Sequence, residues 1–186
     1  VVGSSYMGWL YQPYMDGYEI AIQMGATIAL IAWGMYWRPV RPFALAVTLL
    51  ALVALWCYGA DYELRKSDFL LKFLLESQAA FMWMSTLYVL AMVTYFAALL
   101  GRSEFIGKTA TALTWSATVM GMTGLLVRWR ESYLLGADIG HIPVSNLYEV
   151  FILFALITAL LYLFYEDRYR TRAMGGFALL AISGAV

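Results

Sequence analysis

The sequence predicts an all-α protein that crosses a membrane several times as a bundle of helices. Of its 186 residues, 63% are hydrophobic and 17% are aromatic, whereas only 13% are charged. A soluble domain is nearer half apolar and a quarter charged, so this composition is typical of a chain whose solvent is lipid. Apolar stretches of roughly 20 residues, the length that a spanning helix needs, recur between short charged segments. The predicted fold class is therefore a polytopic transmembrane helical bundle.

Five stretches predict complete membrane spans, and both ends of the sequence predict partial ones. The complete spans are Gly17–Trp37, Phe43–Tyr58, Ala79–Leu100, Lys108–Val127 and Leu147–Tyr165. The first partial span ends near Met15 and the last begins at Ala173. We therefore expect residues 1–186 to form one transmembrane domain that is part of a longer protein.

Two segments between the spans have distinct patterns. Arg38–Pro42 contains two prolines in five residues, which predicts a tight turn because proline cannot continue a helix. Asp61–Gln78 combines charged residues with apolar ones at helical spacing, which predicts an amphipathic helix in the membrane interface. A plain solvated loop is the alternative for that segment.

The fourth span has small and hydroxylated residues along one side, at Thr111, Thr114, Thr118 and Gly121. Small residues allow helices to approach closely in lipid, where no hydrophobic force drives helices together. This side of the span is therefore predicted to pack against another helix.

The basic residues predict the orientation of the bundle. Alternate loops place seven on one side and five on the other; the seven are Arg38, Arg41, Arg102, Lys108, Arg168, Arg170 and Arg172. Basic residues in short loops favour the cytoplasmic side. We therefore expect Asp61–Gln78 and the segment from Arg128 to Ser145 to lie outside the cytoplasmic membrane, which is the periplasm in a two-membrane bacterium.

The segment from Arg128 to Glu149 contains most of the polar chemistry, including His141, which is the single histidine of the chain. Glu149 lies one turn inside an apolar helix, where an ionisable group costs a few kcal/mol unless it is paired or hydrated. We expect Arg128 or Arg130 to be its partner.

Gly140 and Pro143 predict a turn before this helix, since glycine permits unusual backbone angles and proline fixes φ. Ser145 or Asn146 is expected to cap the helix, whose N-terminus favours a carboxylate or propionate. Simpler interpretations stay open. His141 can lie at the interface without a ligand, the arginines can bind lipid phosphates, and the tryptophans can be residues of the interfacial aromatic belt.

Composition also limits the function classes. The formal net charge is zero, which argues against a nucleic-acid partner. The single cysteine, Cys57, allows neither a disulfide framework nor a zinc or c-type haem attachment motif.

The run Gly140-His141-Ile142-Pro143-Val144-Ser145-Asn146-Leu147-Tyr148-Glu149 resembles a pattern of the CcsA/CcsB (ResC-like, system II) family of cytochrome c biogenesis proteins. That pattern is Gly-His-x-Pro-x-Ser-Asn-x-Tyr-Glu, and Arg128, Trp129 and Tyr133 also fit the family. The likeness is strongest to the proteobacterial form named CcsB, to which Met15–Glu19 and Glu166–Arg172 are also similar. It covers the chain from about residue 15 to its end.

The resemblance implies that the chain is the N-terminal part of a bacterial inner-membrane component, which works with a ResB-like partner subunit. Such assemblies export haem b and attach it covalently to apocytochrome c outside the membrane. The family's haem signature, a tryptophan-rich segment flanked by histidines, is not among these residues, and His141 matches a turn and not a haem ligand. No catalytic residue or metal ligand is therefore assigned. The candidate functional loop comprises Arg128, Trp129, Tyr133, Gly140, His141, Pro143, Ser145, Asn146, Tyr148 and Glu149.

Two other function classes compete with this one. A structural transmembrane subunit of a respiratory or other multi-subunit complex would use the loop for protein contacts, but would not need this specific turn. A small-molecule transporter would place ionisable residues deep in several helices, whereas Asp16, Glu19 and Glu149 lie near helix ends. The motif therefore favours cytochrome c maturation.

Overall fold

The structure is a computed structural model that describes residues 17–58, 69–135 and 146–185. In these ranges the chain is helical apart from short turns, and no strand occurs, which confirms the all-α class. The elements are α1 (Gly17–Tyr36), α2 (Val40–Tyr58), a π-helical turn (Leu71–Leu75), α3 (Ser77–Gly101), α4 (Glu104–Leu135), α5 (Leu147–Tyr169) and α6 (Gly175–Ala185).

Four of the described helices, α2 to α5, have the length and apolar composition of membrane spans. These four fit a multi-pass membrane protein, as the sequence predicts. The first predicted span falls on α1, whose apolar part with described side chains is the shorter stretch Thr27–Tyr36. The last predicted span falls on α6, an apolar helix of 11 residues.

The chain divides into two compact units, Val1–Ala44 and Leu45–Val186. The described part of the first unit contains α1 and the first turn of α2. The turn predicted at Arg38–Pro42 is shorter than expected, because α2 already begins at Val40. Pro42 is accommodated there because the first N–H groups of a helix need no intrahelical partner. Arg41 Nε donates to the carbonyl oxygen of Gly34 at 2.8 Å, which satisfies one free carbonyl near the end of α1.

In the second unit, α3 and α4 form the most extensive helix pair, and α6 packs against both α3 and α5. We call the end of this bundle where α4 ends and α5 begins the loop end. Ser77, the first residue of α3, also lies at the loop end, since it contacts Glu131 of α4. The other end, where α3 ends and α4 begins, is called the turn end.

Helices α3 and α4 pack closely against each other, as the small residues of α4 predict. A Cβ atom added at Gly121 would lie 2.3 Å from Met84 Sδ, and one at Gly124 would lie 2.7 Å from Phe81 Cε1. Thr118 is fully buried, and its Oγ1 lies 3.1 Å from the hydroxyl oxygen of Tyr88. The prediction of close packing on this side is confirmed.

The predicted interfacial helix Asp61–Gln78 is described only from Phe69 onward, and its earlier residues lie outside the described ranges. Helical structure there ends at Leu75, because Glu76 adopts an extended conformation before α3 begins at Ser77. The predicted C-terminal boundary at Gln78 is therefore wrong. The π-helical turn buries Leu71 and Leu75 in a cluster with Ala54, Cys57, Tyr58 and Val127.

The fourth span is predicted at Lys108–Val127, and both of these boundaries are wrong. It extends from Glu104 to Leu135, so the segment from Arg128 to Leu135, predicted as the start of a polar loop, is helical. The helix continues because its polar side chains there find partners within the bundle, as the contacts of Glu131 show.

Candidate functional site

The described residues of the candidate loop meet where α4 ends and α5 begins. Asn146 has an extended backbone, and its side-chain oxygen accepts a hydrogen bond from the backbone N–H of Tyr148 at 2.7 Å. This contact satisfies one of the free N–H groups at the start of α5 and confirms the predicted cap.

Glu149 is 1% exposed, which confirms that its carboxylate is buried in the first turn of α5. Arg128 of α4 lies beside it, with 3.3 Å between Arg128 Nε and Glu149 Oε1. Of the two predicted partners, Arg128 is therefore the one that pairs with Glu149. The ion pair connects the two helices on either side of the candidate loop.

Glu131 is a second buried carboxylate, one helical turn beyond Arg128. Its Oε1 accepts hydrogen bonds from the Tyr58 hydroxyl at 2.5 Å and from the Ser77 backbone N–H at 3.0 Å. Its Oε2 accepts a third, from Ser77 Oγ at 2.5 Å. The residue before α3, Glu76, makes no side-chain cap, so the carboxylate of Glu131 supplies the cap of α3 from a distant part of the chain.

Tyr58, Ser77, Arg128, Glu131 and Glu149 together form what we call the loop-end cluster. Arg128 lies between its two carboxylates, since its Nη1 is 3.8 Å from Glu131 Oε2. The side chain of Arg128 remains 37% exposed, whereas both glutamates are buried. The cluster thus joins α2, α3, α4 and α5 through two acids, one cation and two hydroxyl groups.

The other residues of the candidate functional loop lie in different environments or outside the described ranges. Trp129 is exposed, and Tyr148 is half exposed with its ring edge-on to Phe81, centroids 5.9 Å apart. Tyr133 lies in α4. Gly140, His141, Pro143 and Ser145 lie outside the described residues, so their predicted turn stays a prediction.

A second polar cluster, which we call the turn-end cluster, surrounds Glu166 of α5. Its Oε2 accepts hydrogen bonds from the hydroxyls of Tyr95 at 2.5 Å and Tyr162 at 2.6 Å. Its Oε1 accepts from Thr111 Oγ1 and from Arg172 Nε, the latter at 3.0 Å.

The arginine of this cluster also fixes the entry into α6. Arg172 Nε lies 3.2 Å from Thr111 Oγ1, and its side-chain stem covers Gly107, where an added Cβ would lie 3.0 Å from Arg172 Cδ. A few residues later, an added Cβ at Gly175 would lie 2.5 Å from the Tyr162 hydroxyl. The turn-end cluster therefore joins α3, α4 and α5 to the segment that leads into α6.

Glu149 and Glu166 mark the two ends of one helix. At about 1.5 Å of rise per residue they lie roughly 26 Å apart along its axis, close to the thickness of about 30 Å of a bilayer's hydrocarbon core. This separation is the one expected of groups near the two interfaces of a bilayer, and each carboxylate is paired with an arginine. Pairing of this kind offsets the cost of burying a charge near lipid.

Sequence reasoning missed the turn-end cluster and part of the loop-end cluster. It ended the fifth span at Tyr165 and left Glu166 outside it, although Glu166 is a buried residue of α5. A signal was present: Ile152, Ala155, Ala159, Tyr162 and Glu166 recur at intervals of three or four residues and share the buried face of α5.

The groups of the loop-end cluster bind one another: its two carboxylates accept, and its hydroxyls, its backbone N–H and its guanidinium donate. Among the described residues, no group of three or more His, Cys, Asp or Glu side chains is arranged to hold a metal ion. The contacts of the cluster connect α2, α3, α4 and α5 at the loop end.

No family model, curated protein or solved structure matches this chain. The fold and the site define a helical multi-pass membrane protein with a buried polar cluster at each end of its bundle.

Proposed function

We propose that this chain is a membrane component of cytochrome c maturation, which supplies the helical frame for a periplasmic loop with the Gly-His-x-Pro-x-Ser-Asn-x-Tyr-Glu pattern. The proposal begins from the ten-residue run that ends at Glu149 and from Arg128, which fits the same family. It extends to haem b as the transported substrate, a ResB-like partner subunit and apocytochrome c as the acceptor. The bacterial inner membrane, with the loop end facing the periplasm, is the proposed location.

The observation that supports this proposal best is the ion pair between Arg128 and Glu149. The two residues precede and follow the central part of the loop, so their contact brings its ends together. The buried carboxylate of Glu131, which lies beside Arg128, adds anchors to α2 and α3. A structural subunit would need only a stable contact surface, whereas this arrangement joins the two helices that the loop connects.

A loop whose flanking helices are joined suits the chemistry of covalent haem attachment. Thioether formation requires the vinyl groups of haem to meet two cysteine thiols in a defined orientation, and positioning alone accounts for a large share of such rate enhancements. In this proposal the loop packs beside the haem-handling part of the assembly and guides haem or apocytochrome c. The iron ligands would come from elsewhere in the assembly.

The test uses the full-length protein, its partner subunit and a co-expressed apocytochrome c. Covalent haem is measured by peroxidase staining of denaturing gels and is normalised to the amount of each variant in the membrane. We expect Glu149→Ala and His141→Ala to lower covalent haem about tenfold. Glu104→Gln, which alters an exposed acid at the turn end, serves as the matched control and is expected to leave it unchanged.

Two results would count against the proposal. Wild-type levels of covalent haem in both loop variants would remove the loop from cytochrome c maturation. Loss of a respiratory complex from the membrane, with cytochrome c unaffected, would assign the chain instead as a structural subunit of that complex.

A further inference from the structure

Two arginines at the turn end adopt a backbone conformation that L-residues rarely occupy. Arg102, which ends α3, has φ 47° and ψ 34°, and Arg170, which ends α5, has φ 54° and ψ 31°. Within the described ranges they are the two non-glycine residues with positive φ. Helices commonly end with a left-handed residue, but that residue is usually glycine, because its missing Cβ removes the steric cost.

A glycine is present at the end of α3, but it does not take the left-handed conformation. Gly101 precedes Arg102 and remains in the helix, while Arg102 takes the left-handed position. The backbone N–H groups of Arg102 and Ser103 both donate to the carbonyl of Ala98, which closes the helix. A conformational cost at an arginine, where glycine would avoid it, points to a use for the side chain.

These arginines directly follow two apolar helices that have the length of membrane spans, as residues at a bilayer's headgroups do. Both follow the turn-end cluster along their helices, outside the buried carboxylate of Glu166. Tyr165 and Tyr169 of α5 stack on each other at 4.7 Å and are about 60% exposed. Exposed tyrosines of this kind are typical of the interfacial belt of membrane proteins.

Basic residues outnumber acids at this end by five to three; they are Arg102, Lys108, Arg168, Arg170 and Arg172 against Glu104, Glu166 and Asp167. Lys108 pairs with Glu104 at 3.2 Å, and Arg172 pairs with Glu166. The side chains of three further arginines are exposed and form no ion pair or hydrogen bond with the described residues; they are Arg102, Arg168 and Arg170. An arginine fork binds phosphate oxygens in a bidentate manner, and lipid headgroups present phosphates at this depth.

We propose that Arg102 at the end of α3, and Arg168 and Arg170 at the end of α5, bind the phosphate headgroups of anionic phospholipids. The negative surface potential of anionic lipid favours exposed arginines at the membrane surface. The site is independent of cytochrome c maturation, because it requires only the turn end and its bilayer.

The experiment measures thermal unfolding of the purified full chain in nanodiscs of phosphatidylcholine, with and without 30 mol% phosphatidylglycerol. For the wild type we expect Tm to rise with phosphatidylglycerol and the rise to shrink in high salt. The variant Arg102→Gly/Arg170→Gly is expected to lose at least half of this rise. Its Tm in phosphatidylcholine alone should be equal to or above that of the wild type, since glycine removes the backbone cost.

The control variant is Arg130→Ala, which removes an exposed arginine from the loop end and should keep the full response to phosphatidylglycerol. If the glycine variant does not fold, Arg102→Gln/Arg170→Gln tests the same loss of charge with the left-handed cost retained. A full lipid response in the charge-loss variant overturns the proposal, and so does an equal loss in Arg130→Ala. Inorganic phosphate added to phosphatidylcholine discs should have no effect; a rise in Tm equal to that with lipid would instead assign the site to a soluble anion.

Discussion

Arg128 of α4 and Glu149 of α5 meet across the ends of the loop that connects their helices, with Nε 3.3 Å from Oε1. The pair is asymmetric, because the carboxylate is buried while the guanidinium is more than a third exposed. Solvent screens the exposed partner, so the pair contributes less than a fully buried one would. Its main effect is to define how α4 and α5 approach each other at the loop.

A double-mutant cycle tests this pair. We expect Arg128→Met and Glu149→Gln to be coupled by about 1 kcal/mol, since partly exposed ion pairs in proteins give couplings of this size. The measurement is unfolding of the micelle-bound protein by a denaturing detergent, followed by far-UV circular dichroism. Arg130→Met, combined with Glu149→Gln, is the control and should be additive. Additivity in the Arg128 cycle would show that the pair adds nothing to stability.

The second prediction concerns the distant cap of α3. Replacing Glu131 by Leu leaves the Tyr58 hydroxyl and both donors of Ser77 without an acceptor in a buried place. Each unsatisfied donor costs about 1–3 kcal/mol, so we expect a loss of about 3 kcal/mol in unfolding free energy. Glu131→Gln keeps one acceptor oxygen and should lose less.

Two further variants separate the contributions to this cap. Ser77→Ala removes the hydroxyl alone and should cost about 1 kcal/mol, because one side-chain hydrogen bond is lost while the backbone bond remains. Glu104→Gln, at an exposed position of α4, should change the stability by less than about 0.5 kcal/mol. Equal stability of Glu131→Leu and the wild type would contradict the role of Glu131 as a cap.

These contacts show which parts of the site the sequence could predict. The cap by Asn146, the burial of Glu149 and its pairing with an arginine follow from local patterns near the start of α5. The partners of Glu131 are 54 and 73 residues away from it, at Ser77 and Tyr58. Their meeting depends on how α2, α3 and α4 pack, which no local spacing encodes. The sequence predicts the end of α4 too early for the same reason. Charged residues such as Arg128 and Glu131 indicate a loop when the partners that bury them lie on other helices.

The turn-end cluster provides the third prediction. Tyr95→Phe and Tyr162→Phe each remove one hydrogen bond to Glu166, and we expect each to cost about 0.6–1.5 kcal/mol in unfolding free energy. Glu166→Leu should cost more, about 3 kcal/mol, because it leaves Arg172 and three hydroxyl groups without their shared acceptor. The same unfolding assay measures all three variants. Should Glu166→Leu prove as stable as Glu104→Gln, the cluster would not hold these helices together.

The last prediction concerns the approach of α6 to the bundle. A Cβ atom added at Gly175 would lie 2.5 Å from both Tyr162 Oη and Tyr95 Cδ1. These rings are held edge-on to each other, with centroids 5.6 Å apart, and both hydroxyls are bonded to Glu166. The rings therefore cannot move aside without breaking those bonds.

We expect Gly175→Ala to lower the unfolding free energy by about 1–3 kcal/mol, as overpacking of a close contact does. Gly101→Ala is the matched control, because no atom lies within 4 Å of an added Cβ there. That variant should be neutral or more stable by about 0.5 kcal/mol, since alanine favours a helix over glycine. If Tyr162→Phe removes part of the cost of Gly175→Ala, the hydroxyl at 2.5 Å is the clashing atom. Equal effects of the two alanine variants would instead show that α6 does not rest on the tyrosine pair.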